Sequence, residues 1–246
     1  MLMKTRYYYD LHIHSCLSPC GDDDCTPNNL AGMGTLAGLQ IMALTDHNTC
    51  RNCPAFFAAA KKQGIVPIAG MELTTAEDIH MLCLFPTLEA AMEFDKEIAT
   101  RRILIENRPD IFGNQWVMDA EDNVIDTQRY LLSNATTVSL EESVPLTQRY
   151  GGVCYPAHID REANGIIAVL GALPPDMVFT AVELHNGETE QQYAPMLPPD
   201  CRVTVGSDAH FLWDIRDKDR FVELETEPYS SQLVRERLIQ YLGGNV

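Results

Sequence analysis

The sequence predicts an α/β fold built around a parallel sheet or barrel. Short apolar segments alternate with helical segments along most of the 246 residues, and polar residues follow several of the apolar segments directly. Hydrophobic residues make up 46% of the chain and charged residues 22%, which is enough apolar material for a sizeable core. We expect residues 1–246 to form a single domain.

The expected strands are short and rich in apolar or aromatic residues, and they recur at intervals that leave room for helices between them. In such folds the residues that carry chemistry lie at the carboxyl ends of the strands. The predicted strands are Tyr7–Leu11, Ile41–Leu44, Ile65–Leu73, Ile79–Leu84, Gly152–Pro156, Val178–Leu184, Arg202–Val205 and Phe221–Glu225.

The expected helices carry recognisable start and stop signals. Thr26 is a candidate cap with Pro27 at the first helical position, and Gly64 ends the second helix. Residues 106–137 are irregular and rich in turn signals, so we expect a small insertion with a hairpin there. The predicted helices are Pro27–Leu39, Pro54–Gln63, Leu88–Ile105, Leu140–Arg149, Gly165–Leu170 and Ser230–Tyr241.

The composition narrows the possible partners and compartments. The formal net charge of −17 disfavours tight binding of long nucleic acids, which depends on Lys and Arg at the phosphates. No apolar run reaches about 18 residues and no secretory signal precedes the first strand, so we expect a cytoplasmic protein without a membrane contact. The eight cysteines then indicate thiols or metal ligands and not a disulfide framework.

Imidazoles and carboxylates gather at the ends of the predicted strands. His12 and His14 alternate along an extended segment, so both side chains can reach one point. Asp208 and His210 are also two residues apart, and Glu72 ends another strand. Clustered groups of this kind need a compensating cation, and an imidazole and carboxylate set suits Zn, Mn or Fe.

Five motifs in order resemble the polymerase and histidinol phosphatase (PHP) family. The resemblance implies a distorted (β/α)7 TIM-like barrel, one PHP domain over residues 1–246, and hydrolysis of phosphoesters with two or three divalent ions (Mn, Fe or Zn). The motifs are Asp10-Leu11-His12-Ile13-His14-Ser15, Thr45-Asp46-His47, Gly70-Met71-Glu72 followed by His80, Tyr155-Pro156-Ala157-His158, and Gly206-Ser207-Asp208-Ala209-His210.

The resemblance also implies a division of the ligands among three metals. One metal would take His12, His14, Glu72 and Asp208; a second would share Glu72 and add His80 and His158; a third would take His47 and His210. The family's further ligand after His-x-His has no direct counterpart, because Pro19 stands where an Asp is usual. We assign Asp22 to it, with Cys20 and Asp23 as alternatives.

Three further residues are candidates for catalytic roles. Arg161 follows His158 and could grip a phosphate bidentately, whereas a surface salt bridge is its alternative role. His185 could protonate a leaving alkoxide or contact substrate, or it could be structural. Asp46 is expected to orient the site and not to bind metal. The pair Cys50 and Cys53 could be redox-active or half of a zinc site, but buried thiols without a function are the default expectation.

The function predicted from these residues is hydrolysis of a small phosphorylated molecule, such as a nucleotide or sugar phosphate, by a hydroxide that bridges the metals and attacks phosphorus. An exonuclease acting on nucleic-acid ends is the main alternative. A regulatory protein that has lost catalysis is another, although a decayed site should lack several ligands. A barrel hydrolase of C–N bonds is weaker, since no Lys lies between Lys62 and Lys96 to serve as its carboxylated ligand.

Overall fold

A computed structural model of the chain describes residues 3–227 and 230–244. Ten strands alternate with eight helices in this part of the chain. The strands are β1 (Met3–Ile13), β2 (Ile41–Leu44), β3 (Val66–Thr74), β4 (His80–Phe85), β5 (Trp116–Met118), β6 (Val124–Thr127), β7 (Val153–Pro156), β8 (Ala181–Leu184), β9 (Arg202–Val205) and β10 (Phe221–Thr226). The helices are α1 (Pro27–Leu36), α2 (Cys53–Gln63), α3 (Leu88–Ala99), α4 (Pro109–Phe112), α5 (Leu140–Arg149), α6 (Ile166–Leu170), α7 (Glu190–Tyr193) and α8 (Ser231–Leu242).

The main sheet has six strands in the order β10-β1-β2-β3-β4-β7. The α/β class is therefore confirmed, but the sheet is mixed and not parallel throughout. Strands β1, β2 and β3 run parallel, whereas β4 is antiparallel to both β3 and β7. The reason is the connection after β3: it spans only Thr75–Ile79, and a parallel crossover needs a dozen residues or more.

A separate parallel pair, β8 and β9, lies beside the ends of the curled sheet. The backbone N–H of Ile159 donates to the carbonyl of Glu183 at 2.9 Å, which connects the end of β7 to β8. On the other side, the backbone N–H of His14 donates to the carbonyl of Ala209 at 2.9 Å. The arrangement is a curled half-barrel compatible with a TIM-like fold, and a complete (β/α)7 barrel stays a prediction.

Helices cover the sheet and bury its strands on both faces. All residues of β2, β4, β7 and β8 are buried, which explains why these segments read as continuous apolar runs. Helix α8 packs its residues Val234, Leu238 and Leu242 into one of the two large apolar clusters, which also contains residues of β1 through β4. The strand ends that carry the polar motifs are thereby held on a rigid frame.

The helix ends follow the expected chemistry, with one exception. The Thr26 hydroxyl accepts a hydrogen bond from the N–H of Asn29, and Gly64 ends α2 in a left-handed conformation with φ of 75°. Helix α3 stops at Ala99 and not at Ile105, so the prediction of a long helix was wrong. The following backbone pairs with another segment, since the N–H of Thr137 donates to Arg101 and that of Leu131 donates to Ile105.

The irregular stretch contains α4 and the antiparallel hairpin of β5 and β6, so the expected hairpin is present. It packs on the loop that follows β1: the N–H of Trp116 donates to the carbonyl of Cys16 at 3.0 Å, and Leu17, Val117 and Leu132 form a small apolar cluster. The bounds of this insertion at about residues 106–137 stay a prediction, and so does the single domain over residues 1–246. In the described ranges, every helix is too short or too polar to cross a bilayer.

Candidate metal centre

The carboxyl end of β1 presents two imidazoles to one point. The Nε2 atoms of His12 and His14 lie 3.1 Å apart, and both side chains are fully buried. The alternation of an extended strand puts them on the same side, while Ile13 between them packs in the core. The register between β1 and β2 shifts between Asp10 and Ile13, an irregularity of the kind that often aims side chains at a site.

Glu72, near the end of β3, is the centre of the cluster. Its carboxylate is fully buried and has five imidazoles around it. The nitrogen–oxygen distances are 3.2 Å to His12, 3.2 Å to His14, 3.0 Å to His47, 2.7 Å to His80 and 3.0 Å to His158. A single carboxylate with both oxygens so surrounded is suited to bridge two cations.

Asp208 completes this arrangement from the loop after β9. Its Oδ1 lies 3.3 Å from His12 Nε2 and 3.2 Å from His14 Nε2. Asp208 and His158 both adopt a positive φ, 52° and 26° respectively, which costs a non-glycine residue about 1–3 kcal/mol. Strain of this kind at two candidate ligands is typical of a functional site.

The geometry and the donor atoms fit divalent metal ions. Ligands about 2.1 Å from a tetrahedral ion lie roughly 3.4 Å from one another, close to the separations found here. Within the described residues, several buried atoms lie near an oppositely charged group but in no hydrogen-bond geometry, among them Oδ1 of Asp208, Oε2 of Glu72 and Nδ1 of His80. Among the residues that the structure describes, three groups of ligand atoms each lie within 4.8 Å of one another: His12, His14, Glu72 and Asp208; His47, Glu72 and His80; and His14, His47 and His210.

Proton affinities in the metal-free site reflect the same crowding. Burial alone would raise the pKa of Glu72, but the imidazoles of His80 and His12 hold it well below its usual range. Burial alone would lower the pKa of His14, yet Asp208 and Glu72 raise it to about 9. The pKa of His210 is lowered to about 3 by burial and by His14. The carboxylates therefore favour a protonated His14, and a bound cation would take the place of that proton.

The structure places the sequence-predicted ligands together, with one exception. His12, His14, His47, Glu72, His80, His158, Asp208 and His210 all belong to the cluster described above. Asp22 does not join it: its Oδ1 accepts a hydrogen bond from the N–H of Asp24 at 2.9 Å, within the loop. Cys20 of the same loop instead lies against one imidazole of the cluster, with Sγ 3.3 Å from His47 Nε2. The assignment of each side chain to a metal stays a prediction.

Asp46 supports the site from outside the cluster. Its carboxylate accepts hydrogen bonds from the N–H and hydroxyl of Ser15 and from the hydroxyl of Ser18, at 2.7 to 2.8 Å. The Ser18 hydroxyl lies 2.9 Å from Nδ1 of His14 and so helps to fix which nitrogen faces the cluster. This contact agrees with the expectation that Asp46 orients the site, and that role stays a prediction.

Arg161 and His185 occupy different positions relative to the cluster. The Arg161 guanidinium is ion-paired with Asp208, is 41% exposed, and lines a cavity of about 230 Å³ together with Glu72, His80 and His158. His185 is half-buried nearby, and its carbonyl accepts from Arg216, but among the described residues it is not part of the lining of that cavity. Burial, Arg161 and Arg216 lower the pKa of His185.

Glu183 is a site residue that the sequence reasoning missed. It is fully buried in β8, its Oε1 lies 2.7 Å from Nδ1 of His12, and it accepts from the N–H of His158 at 3.2 Å. A carboxylate on the far nitrogen of a ligand imidazole fixes the ring and its tautomer. The available signal was a lone glutamate inside the apolar segment Ala181–Leu184.

The Cys50 and Cys53 pair lies in the apolar core and belongs to none of the three ligand groups. The thiol of Cys50 donates to the carbonyl of Gly70 at 3.2 Å, and that of Cys53 lies 3.7 Å from the same oxygen. All eight cysteines are free, and burial raises the pKa of Cys50 well above its usual range. Buried thiols with such a pKa are poor nucleophiles and metal ligands.

The model of the PHP domain matches residues 10–151, more than half of the chain. The chain belongs to the PHP domain family. This family is one of metal-dependent hydrolases, so the expectation of an enzyme family with a metal site is confirmed at that level. The predicted identity of the metals, Mn, Fe or Zn, and their predicted number, two or three, stay predictions.

Two curated relatives share local sequence with this PHP domain. A 5'-3' exoribonuclease of Haemophilus influenzae is 31% identical over 102 residues, which cover 38% of this chain and 36% of the relative. An error-prone DNA polymerase of Symbiobacterium thermophilum is 35% identical over 77 residues, which cover 31% of this chain and 7% of the relative. The matched segments are thus about a third or less of the length of these relatives.

Two solved structures share the fold. The lesion-specific endonuclease Q of Pyrococcus furiosus has a TM-score of 0.64 at 18% identity, and the match covers 98% of this chain and 56% of that one. An amidohydrolase from Chromobacterium violaceum with bound sulfate has a TM-score of 0.53 at 18% identity, with 93% and 96% covered. At these identities the likeness shows the fold alone.

Proposed function

We propose that this PHP domain is a metal-dependent phosphoesterase that hydrolyses a small phosphorylated substrate of the nucleotide or sugar phosphate type. The observation that carries the proposal is the buried Glu72 carboxylate among five imidazoles, with Asp208 beside it and a cavity above. Divalent ions bound there would activate a water molecule and neutralise charge on a phosphoryl group.

The protein side chains supply position and specificity for that chemistry. Glu183 contacts Nδ1 of His12 directly and orients its ring. Asp46 accepts a hydrogen bond from Ser18, whose hydroxyl contacts Nδ1 of His14 and orients that ring. The Arg161 guanidinium contacts Asp208 and is partly exposed, so it can share its donors with a phosphate oxygen at the cavity mouth. These roles need no covalent intermediate on the enzyme.

The cavity and the charge of the chain favour a small substrate. A volume of about 230 Å³ is below the roughly 300–1,000 Å³ of drug-sized pockets, so it suits a phosphoryl group and its immediate neighbours. The net charge of −17 opposes the approach of a long polyanion, whereas one terminal phosphate can be held by Arg161 and bound cations.

Hydrolysis at a nucleic-acid end is the second candidate, and one observation favours it. Phe211 and Trp213, just after His210, are stacked with ring centroids 4.9 Å apart, and Trp213 is 73% exposed. An exposed aromatic face can stack a base for about 1–3 kcal/mol. Relatives named as an exoribonuclease and a DNA polymerase agree with this candidate.

Hydrolysis assays with metal-loaded protein test both candidates. The substrates are nucleoside monophosphates, sugar phosphates and short 5'-phosphorylated oligonucleotides. We expect Glu72→Ala and Asp208→Ala to lower kcat/KM by at least about 100-fold, since even an outer hydrogen-bond partner of a metal ligand is worth 10–100-fold. Glu188→Ala, an exposed carboxylate on the loop after β8, is the control and should keep parent activity.

The outcomes separate the candidates. If Trp213→Ala lowers activity on oligonucleotides and leaves sugar phosphates unaffected, the enzyme works on nucleic-acid ends. If Trp213→Ala leaves the activity on both kinds of substrate unchanged, the aromatic pair takes no part in binding, which supports a small substrate. Parent-like hydrolysis by Glu72→Ala on every substrate would overturn the proposed function.

A further inference from the structure

The loop after β1 places a thiol where a carboxylate was expected. Cys20 Sγ lies 3.3 Å from Nε2 of His47, and Cys20, His47 and His210 line the same cavity. His47 is buried, and independently of the thiol it forms a group of three imidazoles with His14 and His210, whose ligand atoms lie within 4.8 Å. Cys20 therefore contacts one of three converging imidazoles and shares a cavity wall with a second, His210, which distinguishes it from an isolated surface thiol.

The two carboxylates of the same loop are engaged elsewhere. Asp22 accepts from the N–H of Asp24, and both oxygens of Asp23 accept from the side-chain amide of Asn114, at 3.1 and 2.8 Å. Asp22 and Asp23 line a neighbouring cavity with Phe211 and not the one that His47 lines. Cys20 lines both cavities, so it shares a cavity with His47 and His210 and the two carboxylates do not.

Tight turns hold Cys20 in its place. The N–H of Ser18 donates to Ser15 at 3.0 Å, and the N–H of Gly21 donates to Ser18 at 2.9 Å. A Cβ on Gly21 would lie 2.4 Å from the carbonyl oxygen of Ser15, so only glycine permits this close approach after Cys20. The thiol is therefore held by a packed turn and not by a freely moving segment.

The His210 imidazole is oriented to leave a nitrogen for a cation. Nδ1 of His210 lies 2.8 Å from the carbonyl oxygen of Asp208, which fixes that nitrogen as the donor and leaves Nε2 as the potential ligand. The backbone N–H of His47 donates to the Ser18 hydroxyl at 3.2 Å, so the same turn carries both Cys20 and the support of His47.

We propose that Cys20, as a thiolate, is a ligand of a cation held with His47 and His210. One thiolate and two imidazoles form a three-ligand set that leaves a fourth position open for water or substrate, as in catalytic zinc sites. The thiolate keeps the negative charge of the missing carboxylate but is a softer donor. This position therefore selects zinc over manganese, which prefers oxygen ligands.

Cobalt spectroscopy tests the coordination without substrate. The full chain is freed of metal, loaded with Co²⁺, and scanned for the near-ultraviolet charge-transfer absorption of a thiolate bound to cobalt. We expect the band in the parent and its loss in Cys20→Ser and Cys20→Asp. Bound zinc is counted in parallel, and Cys20→Ser should hold about one equivalent less than the parent.

Two matched variants make the test specific. The two variants are Asp22→Asn and Cys201→Ser, and Cys201 is a half-buried thiol directly before β9. Both variants should keep the absorption band and the zinc count of the parent. Cys20→Asp should regain the lost equivalent with manganese. The proposal is overturned if the parent shows no band at saturating Co²⁺, if Cys20→Ser keeps it, or if Asp22→Asn removes it.

The proposal rests on the proposed metal centre but not on its substrate. A band that depends on Cys20 in a protein that hydrolyses no phosphoester would support the thiolate ligand and refute the proposed function. Hydrolysis that survives without such a band would do the reverse, because the spectrum reports the ligand and the assay reports the chemistry.

Discussion

At the scale of single residues, the centre depends on how protons and cations compete for the same nitrogen atoms. The pKa of His47 is raised to about 9 because Glu72 and then Cys20 outweigh the opposing effect of burial. The pKa of His14 is also raised to about 9, in its case by Asp208 and Glu72. Imidazoles with a pKa near 9 are protonated at neutral pH in the metal-free protein. A cation must therefore displace these protons before it can bind.

This competition predicts how metal binding depends on pH. Below about pH 9 the metal-free site holds protons on His14 and His47, so zinc binding should release protons and the apparent affinity should rise with pH until about 9. Isothermal titration calorimetry in buffers of different ionisation enthalpy measures the number released. Proton-neutral binding at pH 7 would contradict the prediction.

A second prediction at this scale concerns Glu183 and its contact with His12. Glu183→Gln keeps the shape but removes the charge that orders the His12 ring, so we expect zinc affinity to fall about 10–100-fold. Competition with a chromogenic chelator measures the affinity. Glu188→Gln on the following loop is the control, and an equal loss there would show a general charge effect instead.

At the scale of elements, a glycine beside β9 allows the ends of three strands to meet at the centre. Gly206 directly follows strand β9, and a Cβ there would lie 2.2 Å from Oε2 of Glu183 and 2.7 Å from Cβ of His12. The close approach of three strand ends is therefore possible only with glycine at this position. It brings the Asp208 loop against β1 and β8.

Gly206→Ala should consequently disturb the centre and the fold together. We expect a loss of about 1–3 kcal/mol in the free energy of unfolding, as is typical of overpacked sites, measured by urea denaturation. Gly32→Ala is the matched control, since a Cβ there meets nothing within 4 Å inside α1 and should stabilise by about 0.5–1 kcal/mol. Parent-like stability and zinc affinity in Gly206→Ala would refute the close-approach argument.

At the scale of the whole molecule, the centre connects elements from both ends of the described chain. His12 lies in β1, Glu72 in β3, and Asp208 after β9, so one cation bound by them links segments far apart in sequence. A ligand that binds only the folded state stabilises it by mass action. The metal-free cluster instead carries buried charges whose desolvation is only partly compensated.

Metal removal should therefore lower thermal stability. Zinc at about 100 times its Kd should add about 2.7 kcal/mol, which corresponds to roughly 5–10 °C in Tm for a chain of this size. Scanning calorimetry with zinc and with a chelator measures the difference. Glu72→Ala should lose most of the response, and a chelator that leaves Tm unchanged in the parent would count against the metal centre.

Local sequence was sufficient for some elements and for most of the cluster. Thr26 with Pro27 and Gly64 mark helix ends by chemistry that acts within a few residues, so these boundaries were predictable. His12 and His14 were predictable because an extended strand always puts alternate residues on one side. The end of α3 was not, since its backbone pairs with residues around 131–137, which no local pattern indicates.

The amino-acid order by itself determined that imidazoles and carboxylates recur at strand ends, because that follows from local hydropathy and periodicity. Only the tertiary structure decided that Cys20, and not Asp22, lies against His47, and that Glu183 lies behind His12. Such contacts join residues 27 and 171 positions apart. They depend on turn geometry and on strand packing at the sub-ångström scale, which the identity of neighbouring residues does not encode.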